Sequence, residues 1–150
     1  MNTTIQDSIE REMVLRAPKE RVYAAIADPK LIVNWFPQAV EGSFEPGSRP
    51  VFDFGEYGRF SIYVVAARPH EYFAYRGVGS EYCPQGFIGD VLTEPNTLVE
   101  FFLGDTPEGT RLRLVVSGFA SLPAETAAQS IKDQDGGWSF MLDRLQKFVE

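Results

Sequence analysis

A chain of 150 residues is long enough for one domain, and at this size roughly 70% of the unfolded chain's surface is buried on folding, so the core needs neither disulfides nor a structural metal. With 21 acidic and 14 basic residues the net charge is −7, which argues against nucleic acids and anionic membranes as partners, because phosphate groups are bound by clustered Lys and Arg. The single cysteine and the single histidine exclude an intrachain disulfide, a multi-cysteine zinc site and motifs that need a histidine pair.

The first residues contain neither the basic nor the apolar region of a secretion signal, and no stretch approaches the length of a membrane-spanning helix. We therefore expect a cytoplasmic protein that is not stably inserted in a membrane. The first predicted element is a strand over residues 8–16, in which apolar and charged residues alternate.

Two short helices are predicted after this strand. Pro18 suits the first position of a helix, and Glu20 suits the positive end of the helix dipole. Asp28 and Pro29 then predict the cap and the first residue of a second helix, which ends before the next proline.

Residues 39–119 are punctuated by Gly and Pro, which predicts a series of strands joined by turns. The clearest hairpin joins residues 98–103 to residues 111–116 through a six-residue turn at 104–109. No long helix separates these strands, so we expect an antiparallel sheet.

Folding this hairpin about its centre places Glu100 opposite Arg113 and Phe101 opposite Leu112. The charged residues then share one face and the apolar residues share the other. With Glu100, Arg111 and Arg113 pointing outward, the interior is expected to be poor in acids and bases.

The last segment, residues 121–150, carries apolar residues at helical spacing and predicts a long amphipathic helix. Gly136 and Gly137 lie in its middle, where each costs roughly 1 kcal/mol relative to alanine. A bend, a close approach of the helix to the sheet, or a floor beneath a ligand would each explain the pair.

Taken together, the elements predict an α+β fold, with one curved antiparallel sheet, two short helices after the first strand and a long C-terminal helix.

Four segments of the sequence, taken in chain order, resemble the activator of heat-shock-protein-90 ATPase homolog-like domains. They are residues 17–29, Asn34-Trp35-Phe36, residues 109–112 and residues 137–145. These domains belong to the helix-grip superfamily (SRPBCC, START-like), which also contains the birch-pollen-allergen-like proteins. The resemblance covers nearly the whole chain and implies a single helix-grip domain over residues 1–150. It further implies a sheet wrapped around the C-terminal helix, with a cavity between them.

The candidate ligand-binding residues are the large side chains expected to face that cavity or to surround its mouth. They are Trp35, Phe52, Phe54, Phe60, Phe73, Tyr75, Phe87, Phe101, Trp138, Met141 and Leu142. Ordinary core packing is the simpler interpretation for any one of them, whereas the whole set in a helix-grip fold favours an apolar pocket. Tyr75 and Trp138 are the candidates for polar contacts with a ligand.

Residues 81–89 form a long loop that either covers the cavity mouth or packs against a sheet edge. His70, in a predicted turn, and Cys83, in this loop, are expected to be inert. Asp90 and Glu94 are four residues apart but outside any predicted helix, so they are not expected to form an acid–base pair. Motifs for serine hydrolases, phosphate loops, dinucleotide binding and zinc helices are absent from the sequence. We therefore predict no catalytic residues, no metal and no cofactor.

Three functions fit this sequence, and binding of a small apolar or aromatic molecule is the one we favour. An enzyme of cyclase or hydrolase type could use the same cavity. A co-chaperone-like interaction domain is the third, although the separate N-terminal domain of the chaperone activators has no counterpart here. Phe102, Val115 and Tyr63 would supply its docking strip, or the contact of a homodimer, on the outer face of the sheet.

Overall fold

The computed structural model describes residues 8–57, 59–77, 97–118 and 124–150. In these ranges, seven strands form one antiparallel sheet that is accompanied by two short helices and one long one. In chain order the elements are β1 (Ile9–Leu15), α1 (Lys19–Ala27), α2 (Pro29–Ile32), β2 (Ala39–Glu41), β3 (Val51–Asp53), β4 (Arg59–Arg68), β5 (Tyr72–Gly77), β6 (Leu98–Thr106), β7 (Gly109–Ser117) and α3 (Ala124–Val149).

The strands lie in the order β1-β7-β6-β5-β4-β3-β2, and every neighbouring pair is antiparallel. This arrangement, with the short helices early in the chain and the long helix last, confirms the predicted α+β helix-grip fold. A bulge at Val65 shifts the register of β4 against β5, so Val64 and Ala67 both reach the inner face.

The short helices begin much as their sequence predicts. The Asp28 carboxylate accepts a hydrogen bond from the backbone N–H of Lys30 at 2.8 Å, and Pro29 is the first residue of α2. Pro18 is the extended residue that precedes α1 rather than its first helical residue, so the predicted start of that helix was one residue early.

The β6–β7 hairpin has a different register from the predicted one. Glu100 lies opposite Val115 instead of Arg113, because the strands continue to Thr106 and Gly109 and leave a turn of two residues. The shift amounts to two residues along the whole hairpin. Since side chains alternate with a period of two, the predicted inner and outer faces are unchanged.

The apolar face of the sheet packs against the helices and contains the core. Its largest fully buried side chains are Trp35, Phe52, Phe73, Phe101, Ile9, Leu15, Ile26, Ile32, Leu112, Leu114 and Leu145. The other face is charged, with ion pairs from Arg113 to Glu10 and from Arg111 to Glu12. Both arginines are therefore on the outside, as predicted.

Two arginines attach α3 to the rest of the fold. The Arg21 guanidinium, on α1, donates to the carbonyl oxygens of Val149 at 2.8 Å and Phe148 at 3.2 Å. These carbonyls lack partners within the helix, and a cation beside them also complements the negative end of the helix dipole. Nearer the middle of α3, Arg11 of β1 pairs with the Asp135 carboxylate and donates to the Asp135 carbonyl oxygen at 3.3 Å.

The glycine pair does not mark a close approach. Helix α3 runs continuously through Gly136 and Gly137, and both residues are exposed. A Cβ atom added to either would meet no heavy atom within 4 Å. Packing against the described part of the molecule therefore does not account for the pair.

Candidate functional site

Aromatic side chains from several elements meet on the inner face of the sheet, and we refer to them as the aromatic cluster. Neighbouring ring centroids in it lie between 5.0 and 6.5 Å apart. Its members are Trp35, Phe36, Phe44, Phe52, Phe54, Phe73, Tyr75, Phe101 and Trp138.

Strand geometry brings the sheet members of the cluster together. Phe73 and Tyr75 are two residues apart on β5 and therefore point to the same face. Phe101 lies directly opposite Phe73 on β6, and the Phe52 ring, from β3, is 5.6 Å from that of Tyr75 in edge-to-face geometry.

The inner face of α3 closes the cluster from the other side. Trp138 and Leu142 are buried and Met141 is half-buried, as their helical spacing predicts. The Trp138 ring lies 5.0 Å from that of Phe36 and 6.0 Å from that of Phe101. The helix and the sheet therefore share one aromatic interior.

Trp35 and its neighbour have different roles. Trp35 is fully buried, and its indole N–H donates to the Ala25 carbonyl oxygen at 2.8 Å, which fixes α2 against α1. Phe36 instead contacts Phe52, Phe54 and Trp138, with centroids 5.4, 5.3 and 5.0 Å away. Trp35 is therefore part of the helix packing, and Phe36 is the central ring that the predicted set omits.

Phe44 is the other ring that the predicted set omits. It lies in the connection between β2 and β3, is 6% exposed, and contacts Phe52 and Phe73. No alternating pattern surrounds it in the sequence, so only its size and apolar character could have indicated burial.

The aromatic cluster reaches the surface on one side. Phe36, Phe54 and Met141 are half-buried, whereas Phe52, deeper in the cluster, is buried. The accessible edge therefore lies where the ends of α2 and β3 meet α3.

Of the other predicted site residues, Phe87 and the whole 81–89 loop lie outside the described residues, as do Cys83, Asp90 and Glu94. For Phe60 the structure gives the backbone position in β4, opposite Phe52.

Tyr75 places a polar group inside the aromatic cluster. The residue is 5% exposed, and no described residue forms a hydrogen bond with its hydroxyl. Burial raises the pKa of Tyr75 well above its usual value near 10, so the hydroxyl keeps its proton and remains a donor.

Apart from Tyr75, the ionisable side chains of the described ranges lie outside this interior. Of the described Ser, Thr, Asn, Gln, His and charged residues, Thr110 alone is buried, and its hydroxyl donates to the Ala17 carbonyl oxygen at 2.7 Å. Glu100 is half-buried on the outer face, where its carboxylate accepts a 2.5 Å hydrogen bond from the Tyr72 hydroxyl. His70 is exposed in a turn, as expected.

Two other kinds of feature are absent from the described residues. They contain no group of three His, Cys, Asp or Glu side chains that could hold a metal ion. They also contain no helix that is long and apolar enough to cross a membrane.

Comparisons with known proteins agree with this architecture. Residues 16–150 match the family described as Activator of Hsp90 ATPase homolog 1-like protein. No curated protein matches the sequence.

Several solved structures have a similar fold. Protein MLL2253 from Mesorhizobium loti is 23% identical with a TM-score of 0.74, over 95% of this chain and 96% of that one. The Aha1 dimer from Colwellia psychrerythraea is 19% identical with a TM-score of 0.76, over 97% of each chain. DynU16, a putative protein in the dynemicin biosynthetic locus, is 24% identical with a TM-score of 0.73, over 96% of this chain but 47% of that one, so this chain spans about half of it.

Proposed function

The chain belongs to the family of Activator of Hsp90 ATPase homolog 1-like proteins, and on that basis we propose that it binds a small apolar or aromatic molecule at the aromatic cluster. The observation that carries the proposal is a group of aromatic rings between sheet and helix that remains accessible at Phe36 and Phe54. Sites for small molecules are concave and largely apolar, with few polar groups.

The accessible edge supplies the driving force for binding. Half-buried rings leave apolar area in contact with water, and a ligand that covers it gains about 25 cal/mol for each Å² removed from water. Edge-to-face contacts such as those of Phe36 with Phe52 and Phe54 can also be extended to an aromatic ligand. A planar ring system is therefore the ligand shape that this edge suits best.

An enzyme of cyclase or hydrolase type would need acids or bases beside its substrate. The described part of the cluster supplies no carboxylate, His, Lys or Arg side chain, since Glu100 and Arg113 lie on the outer face of the sheet, and its one ionisable group is the Tyr75 phenol. Binding without chemistry is therefore the better-supported function.

A protein-docking strip on the outer face is also less well supported. The rings of Phe102 and Tyr72 lie 5.0 Å apart, and the Arg113 guanidinium lies 5.8 Å above the Phe102 ring. The Phe102 ring thus already has contacts within the same molecule. We keep a homodimer contact on this face as part of the proposal. We also propose that the protein is cytoplasmic.

Binding of the neutral dye Nile red tests the proposal. We expect saturable binding to the wild-type protein and about tenfold weaker binding to Trp138→Ala, because truncating this ring removes a large apolar contact from the site. Phe140→Ala is the matched control: it lies two residues further along the same helix, is 63% exposed, and should leave the dye affinity unchanged.

The smaller change Met141→Ala, at the half-buried edge, provides a second test if Trp138→Ala unfolds. Equal dye affinity for the wild type and for a folded variant at Trp138 or Met141 would contradict the proposed site. Native mass spectrometry of freshly purified protein should in addition reveal a co-purifying small molecule.

A further inference from the structure

Tyr75 differs in its hydrogen bonding from two other buried side chains with polar groups, Thr110 and Trp35. The Thr110 hydroxyl and the Trp35 indole N–H each donate to a backbone carbonyl oxygen. The Tyr75 hydroxyl, beside the rings of Phe52 and Phe73, forms no hydrogen bond with any described residue. It is therefore a donor that a hydrogen-bonding ligand can use.

The same strand contains a comparison for this residue. Tyr72 is three residues earlier on β5 and therefore points to the opposite face of the sheet. Its hydroxyl donates to the Glu100 carboxylate at 2.5 Å. The hydroxyl of Tyr75 is therefore available to a ligand, whereas that of Tyr72 is already bonded to Glu100.

The surroundings of Tyr75 restrict the ligand's charge. None of the described Lys, Arg or His side chains is buried, so an anion next to Tyr75 would lose its hydration without gaining a cation. Because burial raises the pKa of Tyr75, the residue donates from its neutral phenol form. The complementary ligand group is a neutral oxygen acceptor.

We propose that Tyr75 determines the specificity of the aromatic cluster, by donating a hydrogen bond from its hydroxyl to a ketone, ether or hydroxyl oxygen of a neutral aromatic ligand. This inference rests on the proposed binding function. It adds that oxygenated aromatic molecules are selected over both pure hydrocarbons and carboxylates.

Three naphthalene probes of nearly equal shape test the inference by calorimetry. 2-Acetylnaphthalene offers a ketone oxygen, 2-isopropenylnaphthalene replaces that oxygen with a methylene group, and 2-naphthoate carries a negative charge. In Tyr75→Phe the ratio of ketone affinity to alkene affinity should fall about tenfold, because the ketone then loses its donor. The alkene affinity itself should stay the same, and wild-type protein should bind naphthoate more weakly than the ketone.

Tyr72→Phe is the matched control and should keep the wild-type ratio. An unchanged ratio in Tyr75→Phe, or tighter binding of naphthoate than of the ketone to wild-type protein, would overturn the inference while leaving the proposed function intact. Failure of the wild type to bind either neutral probe would overturn both. Tyr75→Phe keeps the ring and its contacts, so the variant should fold.

Discussion

At the scale of single residues, the two tyrosines of β5 show how surroundings change one type of side chain. Burial, followed by the hydrogen bond and the negative charge of Glu100, raises the pKa of Tyr72 to about 12, while Arg68 and Arg76 act in the opposite direction. The Arg68 guanidinium lies 5.5 Å from the centroid of the Tyr72 ring. Tyr72 therefore connects three neighbouring strands on the outer face.

Tyr72 should make stability depend on pH in the alkaline range. Its pKa is higher in the native state than the unfolded value near 10, so its contribution is complete below pH 10 and is lost as the pH rises to about 12. Urea unfolding of Tyr72→Phe should show a free energy about 1 kcal/mol below wild type at pH 7, because the bond to Glu100 is lost. That difference should shrink above pH 10. A difference that stays constant to pH 12 would contradict this assignment.

At the scale of elements, α3 has an inner face that the sequence predicts well and an outer feature that it does not explain. Trp138, Leu142, Leu145 and Val149 are all buried, as their spacing indicates. The glycine pair lies on the exposed side, and the helix is attached to β1 through Arg11 beside it. Since nothing described occupies the space where side chains would be, the pair lowers the stability of α3 without a packing gain.

Replacing these glycines should stabilise the protein. Gly136→Ala and Gly137→Ala should each raise the free energy of unfolding by roughly 0.5–1 kcal/mol, because alanine favours the helix and the added methyl group meets open space. Urea unfolding at neutral pH measures the change. A loss of stability in either variant would mean that the glycine is required for a contact or a bend.

The hairpin and the Trp35-Phe36 pair show where sequence reasoning stops. Alternation identified the inner face of β6 and β7, since any register shift of two residues keeps it. The same alternation does not determine the length of the turn, because Thr106 and Gly109 are compatible with either strand or turn. Likewise, the two large aromatic residues that follow the four-residue helix α2 are both apolar. Only the packing shows that Trp35 bonds to α1 while Phe36 takes the central position in the aromatic cluster.

At the scale of the whole molecule, the start of β7 is packed against the connection between β1 and α1. A Cβ atom on Gly109 would lie 2.2 Å from the Leu15 carbonyl oxygen and 3.0 Å from the Ala17 backbone nitrogen, and the residue has a φ of +149°. The adjacent Thr110 hydroxyl bonds to the Ala17 carbonyl oxygen. One glycine thus allows two distant parts of the chain to come into contact.

Gly109→Ala should therefore destabilise the fold by about 2–3 kcal/mol, through both the clash and the backbone strain. Gly104→Ala, on the preceding strand, is the matched control: its Cβ atom would have no neighbour within 4 Å, so the change should stay within about 0.5 kcal/mol. Thermal or urea unfolding compares the two. Equal effects would show that the contact at Leu15 adjusts easily.

The position of β1 beside β7 has a consequence for the kinetics of folding. Ile9, near the start of the chain, pairs directly with Val116, so the edge of the sheet is completed only by a contact of very high sequence separation. Closing so long a loop costs entropy before the contact repays it, and high contact order slows folding. During synthesis on the ribosome, β1 therefore emerges long before β7, and their pairing cannot form until β7 has also been made.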